Sequence, residues 1–448
     1  MKKITIVGAG LVGSLLSLYL AKRGHKVQIF ERRKDPRKLK KSEGRSINLA
    51  LSDRGWAALK KIGISDEVSH SAIPMFRRVM HSIDGTLSFQ DYGKDGQAIY
   101  SVSRGGLNRI LLEKAEDDPN ITVDFNHRCV SANPETGSAV FQNDSETIEI
   151  LNDAIFGTDG AFSKVRSAFQ RRDGFSYSQE YIDHGYKELT IPPGPSGTFK
   201  IEKEALHIWP RGKHMLIALP NLDGSFTCTL FFPMKGEVSF DSLNTTLKAR
   251  EFISKVFPDA YSLMNDFDNQ WESNPTSSLV IIKCKPWNVG GRSMLLGDAS
   301  HAIVPFYGQG MNSGFEDCRV FDEILENSND FNTAFESFSN TRKPDADAIS
   351  DLAMQNFIEM RDLTGQPKFL LQKKIENRFS ELHPDKWVPL YSQVTFSNIP
   401  YSTALAAGKK QEEIMKKIMK ITDIESLWDK PKIDAIILDC LKNDTQAN

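Results

Sequence analysis

Residues 4–7 form a short apolar run rich in β-branched side chains, which predicts a buried parallel strand. Along 11–23, Leu15, Leu16, Tyr19 and Leu20 recur on one helical face, with Gly24 as a stop signal. A second strand is predicted at 27–30, and this strand–helix–strand opening implies a parallel sheet with helices on both faces. A charged, proline-containing loop at 32–45 interrupts the pattern. Helical spacing returns at 107–115, and strand character at 154–156, ending in Gly157-Thr158-Asp159-Gly160. From about 185 to 284 the pattern changes: 205–209, 214–220 and 225–232 alternate in character and are separated by turns such as Leu222-Asp223-Gly224. That predicts an antiparallel sheet. A short buried strand follows at 293–296, and helical spacing dominates from 314 onward.

Composition narrows the function classes. The 448 residues are 40% hydrophobic and 25% charged, which excludes disordered, collagen-like and disulfide-scaffold chains and allows two or three domains. Lys+Arg (56) and Asp+Glu (58) nearly cancel, so no overall field draws the chain to nucleic acid or an anionic surface. Cys129, Cys228, Cys284, Cys318 and Cys440 are odd in number and scattered, without CxxC spacing, which indicates neither a disulfide framework nor a zinc site. The histidines form no HxH or HExxH pattern, so no protein-held metal is expected. Met1-Lys2-Lys3 and the apolar stretch to Ala21 have the outline of a secretory leader. However, the regularly spaced glycines within it, and the strand just after it, point to a mature, cytoplasmic chain. No run reaches the roughly 18 apolar residues of a membrane span.

Gly8-Ala9-Gly10-Leu11-Val12-Gly13 places GxGxxG between a predicted strand and helix. In this context the glycines allow a tight turn, backbone approach to a pyrophosphate and close helix packing. Glu31 ends the second strand, where a carboxylate can accept both ribose hydroxyls and would repel a 2′-phosphate. Gly297-Asp298-Ala299-Ser300-His301 puts an acid after a later strand, where the chain recrosses the same dinucleotide. Val304-Pro305-Phe306-Tyr307-Gly308-Gln309-Gly310-Met311-Asn312 then offers a glycine-bearing loop before a helix. Such a loop can present backbone N–H groups to the electron-rich edge of a flavin ring. His301 itself reads as structural rather than catalytic.

These motifs, with Asp159-Gly160 followed by Ser163 and Arg166, resemble the single-component FAD-dependent aromatic hydroxylases. That family carries GxGxxG…E, a central DG and a late GDAxHxxxPxxGxGxN. Further segments resemble its kynurenine-hydroxylating members: Gly44-Arg45-Ser46-Ile47-Asn48-Leu49-Ala50-Leu51-Ser52-Asp53-Arg54-Gly55, His184-Gly185-Tyr186-Lys187-Glu188-Leu189, Leu206-His207-Ile208-Trp209-Pro210, Ile217-Ala218-Leu219-Pro220-Asn221-Leu222-Asp223 and Tyr391-Ser392-Gln393-Val394-Thr395-Phe396. The resemblance thus runs nearly end to end. It implies an α/β fold with a discontinuous Rossmann-type FAD-binding domain at 1–73, 104–178 and 286–365, an inserted antiparallel-sheet substrate domain at 74–103 and 179–285, and a helical C-terminal region at 366–448.

The activity implied is hydroxylation of L-kynurenine to 3-hydroxykynurenine, with NADPH reducing FAD and O₂ forming a C4a-hydroperoxide. The protein then has to orient substrate, exclude water and accommodate charge, and no catalytic side chain is implied. For substrate, the match points to Arg78 on the amino-acid carboxylate, with Tyr92, Tyr391 and Asn356 beside it. Ile217, Leu219, Phe231 and Phe306 would wall the aromatic ring. For cofactor it points to Gly8, Gly10, Gly13, Glu31, Arg104, Asp298, Gly310, Met311 and Asn312. From the residues alone, Ile217, Leu219 and Phe231 read equally well as sheet core, and Arg78 as half of a solvated basic pair with Arg77.

Alternatives are a related hydroxylase of another aromatic acid and a non-catalytic flavin-fold binding protein. The WxWxIP segment of flavin halogenases is missing. The basic stretch 32–45 lacks aromatics and reads as a solvated loop near the FAD phosphates rather than a nucleic-acid site. Ile414, Ile418 and Ile421 recur among lysines in 408–427, and this segment is expected to be a helix packed over the active site rather than one lying on a membrane. Neither the NADPH docking site nor the oligomeric state is legible.

Overall fold

The β-branched run at the amino terminus is strand Lys3–Val7, buried at every position but its first. In this computed structural model, which describes residues 1–38, 48–92, 96–328, 330–360 and 366–445, the strand lies inside a six-stranded sheet. It pairs in parallel with Lys26–Glu31 on one side and Ala154–Gly157 on the other. Ile121–Phe125 extends the first side, and Ser293–Leu295 with Asn288–Val289 the second. Helix Leu11–Lys22 packs between helices Arg104–Asp117 and Gly310–Glu326. Because the ladder is parallel, the carboxyl ends of four strands deliver Gly8, Glu31, Thr158 and Leu296 to one edge. In open α/β sheets that edge, outside the carboxyl ends, is where ligands bind.

The second sheet has seven strands, in the order Ser277–Lys285, Ser176–Ile191, Phe226–Pro233, His214–Pro220, Ala205–Arg211, Arg77–His81, Leu87–Asp91. One feature departs from the antiparallel expectation: Ala205–Arg211 pairs in parallel with Arg77–His81. The two arrive from distant parts of the chain, so no short hairpin forces them antiparallel. Strand alternation divides the sheet into two apolar faces. Trp209, Leu216, Ala218, Cys228, Leu230 and Phe232 meet helices Thr246–Val256, Pro258–Leu263 and Phe267–Ser273. On the opposite face, Ile208, Met215 and Phe231 meet Phe306, Tyr307 and helix Phe331–Ile358.

The C-terminal helices correct one expectation. Residues 408–427 are not one helix over the site: helix Tyr401–Ile418 begins earlier and stops, and Ile424–Leu427 is a separate turn. Ile414 and Ile418 are buried with Ile375, Phe379, Trp387, Ile433 and Ile437 in a core of the C-terminal helices' own. It is the start of the long helix, at Tyr401 and Ala404, that joins the cluster around the sheet. No helix among the described residues is long and apolar enough to cross a membrane. Of the basic stretch 32–45, residues from 39 onward lie outside the described residues, as does the Gly44–Ile47 part of the motif that continues into strand Asn48–Leu51. Within the rest, Arg33 pairs with Glu31, and Arg37 with Asp35 and Glu116.

Candidate functional site

The glycine loop closes tightly against the sheet. Gly8 has φ +103°, and a Cβ there would meet the Thr158 carbonyl at 2.8 Å; one on Gly13 would meet the Gly8 carbonyl at 2.0 Å. Neither position tolerates a side chain. Gly10, by contrast, faces open space. The first intrahelical bond runs from Ser14 N–H to the Gly10 carbonyl, and no side chain caps the helix, so the N–H groups of 11–13 are left for a ligand. Glu31 is buried at the strand end, with one oxygen accepting from Ala9 N–H (3.0 Å) and the other from Arg33 N–H (3.0 Å).

Across the edge, Asp298 is accessible to solvent yet enclosed by protein, the mark of a cleft rather than an outer surface. Burial pushes its carboxyl above the ordinary range, and the charge of Arg104, at the start of its helix, opposes this. Asn108, one turn further, donates to the Ala9 carbonyl at 3.2 Å, and among the described residues its buried Oδ1 and that of Asp159 have no partner. Cradle, uncapped helix start, ribose-level acid and orphaned polar atoms together suit a dinucleotide such as FAD.

A second uncapped start belongs to helix Gly310–Glu326, whose first intrahelical bond is made by Ser313 N–H to Gln309. The N–H groups of Gly310, Met311 and Asn312 therefore precede the ladder. The Asn312 side chain is spent internally: Oδ1 accepts from Ser52 N–H (2.9 Å), and Nδ2 donates to the Ala50 and Gly308 carbonyls (2.8 and 2.9 Å). Asn356 donates to the Phe306 carbonyl at 2.6 Å, and the Tyr401 hydroxyl donates to Gln309 Oε1 at 2.9 Å. The loop is thus pinned from the long helix and from the C-terminal cover.

On the inner face of the seven-stranded sheet, the Arg78 guanidinium carbon lies 4.3 Å from the Tyr391 ring centroid and 5.1 Å from that of Tyr92. The two rings stack at 5.4 Å, and Tyr307 stacks on Tyr391 at 5.5 Å. Arg78 Nε is buried without a hydrogen-bond partner among the described residues, while the rest of the guanidinium lies against the hydroxyls of Tyr92 and Tyr391. Leu219 packs with Tyr92, and Phe231 with Phe306, whose ring also stacks on Phe357 at 4.1 Å. Ile217 touches both groups. All eight substrate-side residues therefore gather in one region, where an apolar cluster meets a cationic, hydroxyl-lined end.

Sequence reasoning missed Glu359. It sits one turn after Asn356, and that spacing was the available signal. Burial pushes its carboxyl up, opposed by the charge of Lys373 and, less, by that of Arg78. His301 is buried, with Nε2 2.6 Å from Asp317 Oδ2, which also accepts from Gly297 N–H. Arg342 pairs with Asp317, Glu316 and Asp345, and Arg54 with Glu316, while Arg54 also donates to the Val394 and Ile399 carbonyls. This buried network ties the Gly297-Asp298 turn to the C-terminal cover. Among the described residues, no cluster of His, Cys, Asp and Glu could hold a metal.

The family model for the FAD binding domain matches residues 1–217. The chain is 49% identical over 443 residues to kynurenine 3-monooxygenase of Flavobacterium johnsoniae, covering 98% of this chain and 99% of the relative. It is also 49% identical over 446 residues to the enzyme of that name in Flavobacterium psychrophilum, covering 99% of each. Among solved structures, the tetrameric form of 2-methyl-3-hydroxypyridine-5-carboxylic acid oxygenase superimposes with TM-score 0.68 over 82% of this chain and 94% of that one, at 18% identity. That likeness shows the fold.

Proposed function

The chain belongs to the kynurenine 3-monooxygenase family, and from that premise we propose how its own residues carry the reaction. It is an FAD-dependent aromatic monooxygenase that converts L-kynurenine to 3-hydroxykynurenine with NADPH and O₂. FAD, when bound, supplies the oxidising chemistry by taking electrons from NADPH and activating O₂ for insertion into the ring.

Gly8, Gly10 and Gly13, with the free N–H groups of 11–13, hold the diphosphate; Glu31 takes the adenosine ribose; Arg104 and Asp298 flank the chain between the two halves. Gly310, Met311 and Asn312 turn their N–H groups to the flavin ring, where partial positive charge favours the reduced, anionic form. Residues 1–73, 104–178 and 286–365 serve as the FAD-binding part, 74–103 and 179–285 as the substrate part, and 366–448 as the cover. The six-stranded sheet, whose strands all fall within 1–73, 104–178 and 286–365, supports the FAD-binding part.

The observation that carries the substrate assignment is the Arg78 cation set between two stacked tyrosines beside an apolar cluster, with its Nε unpartnered among the described residues. A planar carboxylate satisfies that donor, and guanidinium geometry favours it. Glu359, near the same charge, faces the α-ammonium, so a zwitterionic amino-acid tail meets both of its counter-charges. Ile217, Leu219, Phe231 and Phe306 clasp the aryl ring and exclude water from it. Asn356 acts through the Phe306 carbonyl, holding the loop at the ring. The aryl amine activates the ring toward oxygen transfer, so no protein base is required. Five unpaired thiols, four of them buried, support a reducing, cytoplasmic setting. The test is to compare kynurenine with its analogue lacking the α-carboxylate in flavin-perturbation binding. A loss of affinity of at least about a hundredfold is expected for a buried charged contact; equal binding would contradict the assignment.

A further inference from the structure

Leu206 and Ile208 face the substrate side, whereas His207 and Trp209, which alternate with them, point to the other face of the sheet. There they meet His81, from the same strand as Arg78 but turned the opposite way by alternation. His81 Nδ1 lies 2.9 Å from Asp259 Oδ2, and His81 Nε2 lies 2.9 Å from His207 Nδ1. His207 Nε2 lies 2.8 Å from the Glu202 carbonyl, and Trp209 Nε1 donates to Asp259 Oδ2 at 2.7 Å. His81 stacks on Trp209 at 4.0 Å. His81, His207 and Trp209 are 5%, 1% and 0% exposed, so water does not stand in for the bonds among them, and Asp259, with 35% of its side chain exposed, is the outer end of the row.

With Asp259 as a carboxylate, counting protons along this row leaves one solution in which every contact is a hydrogen bond. The Glu202 carbonyl can only accept, so His207 Nε2 carries a proton and its Nδ1 a lone pair. His81 Nε2 must then donate. Asp259 Oδ2 accepts from Trp209, and as a carboxylate it accepts from His81 Nδ1 as well. His81 is therefore the doubly protonated member. If it loses one proton, either a lone pair faces a lone pair at His207 or the contact with Asp259 or Glu202 fails. Burial holds His207 down at about 4, in keeping with its neutral place in the row. Burial acts to raise Asp259, but bonds from His81 and Trp209 hold its carboxyl below the ordinary range.

The row matters because of what it pins. Arg77–His81 is flanked on one side only by Leu87–Asp91, an edge strand exposed at every position. Arg78 projects from this hairpin, and Tyr92, just beyond it, donates its N–H to the Phe76 carbonyl at 3.0 Å. We propose that His81, His207 and Asp259 form a proton-dependent positioning row that sets Arg78 for the substrate carboxylate from behind the sheet. The proposal rests on the Arg78 assignment above. The other charged groups facing His81 are Arg211, whose Nη1 donates to the His81 carbonyl at 2.7 Å, and Arg77 on its own strand, which is turned to Glu202. Neither can replace the lost proton.

The experiment uses the FAD-loaded enzyme and a kynurenine analogue lacking the α-amine, so that the ligand does not titrate over about pH 5 to 9. Binding is read from the flavin spectrum. Wild type should bind more weakly as pH rises. Asp259→Asn should weaken binding about tenfold at neutral pH, the scale of one buried charged hydrogen bond. It should also flatten the pH profile and raise KM for kynurenine while kcat and FAD content hold. His207→Asn, which keeps an acceptor near Nδ1, should retain more affinity than His207→Leu. A wild-type profile without pH dependence overturns the proposal, even where no variant folds. So does Asp259→Asn with wild-type affinity, or with kcat and FAD content falling alongside KM. Arg78→Met separates the two layers: if it binds like wild type, the Arg78 assignment falls and the row with it. If it is weakened while Asp259→Asn is not, the row alone falls.

Discussion

The Arg78 guanidinium carbon lies 4.3 Å from the centroid of the Tyr391 ring, joining a near-edge strand of the substrate sheet to the helical cover. Sheet and cover thus close on the same charge. Arg78→Ala should raise KM for kynurenine by at least about a hundredfold, the scale of losing one partner of a buried ion pair. Bound FAD should stay at the wild-type level. Steady-state kinetics with flavin quantitation checks this; equal loss of flavin would mark Arg78 as a folding residue.

Glu359 offers a different handle, because the proposed function sets it against the substrate's α-ammonium. Glu359→Gln should weaken kynurenine more than the analogue lacking the α-amine, by roughly tenfold for one charged hydrogen bond. Paired titrations of the two ligands read the difference directly, and parallel losses would place Glu359 outside the slot.

Phe306 touches Phe231 and stacks on Phe357, between the flavin loop and the ring slot. Phe306→Ala opens that wall to water and costs about 3–5 kcal/mol of stability by cavity formation. Hydrogen peroxide released per NADPH consumed should rise several-fold, as measured by a coupled peroxidase assay. Unchanged coupling would remove Phe306 from the ring.

Acid sensitivity follows from Asp317. Burial acts to raise its carboxyl, but His301 and Arg342 hold it below the ordinary value of 3.8. A depressed carboxyl stabilises the fold fully above its unfolded value and loses that contribution as pH falls through the folded value. Wild-type melting temperature should therefore fall as pH drops below about 4. Asp317→Asn should be destabilised already at neutral pH, by about 1–3 kcal/mol, since Arg342 and His301 lose a buried charged partner while Glu316 and Asp345 stay with Arg342. Calorimetry across pH tests both.

Much of the dinucleotide half was legible because its signals are local. Gly8, Gly10, Gly13 and Glu31 fall within one strand–helix–strand unit, and backbone clash alone explains why two of those positions exclude a side chain. The substrate half was legible as strands but not as pairings. The parallel contact of Ala205–Arg211 with Arg77–His81 joins segments far apart in the chain, and no local turn announces it. Ile414 and Ile418 read correctly as a buried stripe, yet periodicity does not say against what, and their partners are Ile375 and Ile433 rather than the site. The backbone role read for Asn312 from the loop is compatible with its placement, but that its side chain is consumed by Ser52, Ala50 and Gly308, from distant parts of the chain, was not legible.

The most direct measurement is anaerobic stopped-flow reduction of the FAD-loaded enzyme by NADPH, with and without kynurenine, followed by admission of O₂ and analysis of the product. Reduction should accelerate strongly when kynurenine fills the slot, and 3-hydroxykynurenine should appear in near-equal amount to NADPH oxidised. Reduction indifferent to kynurenine, with peroxide as the only oxygen product, would contradict the account.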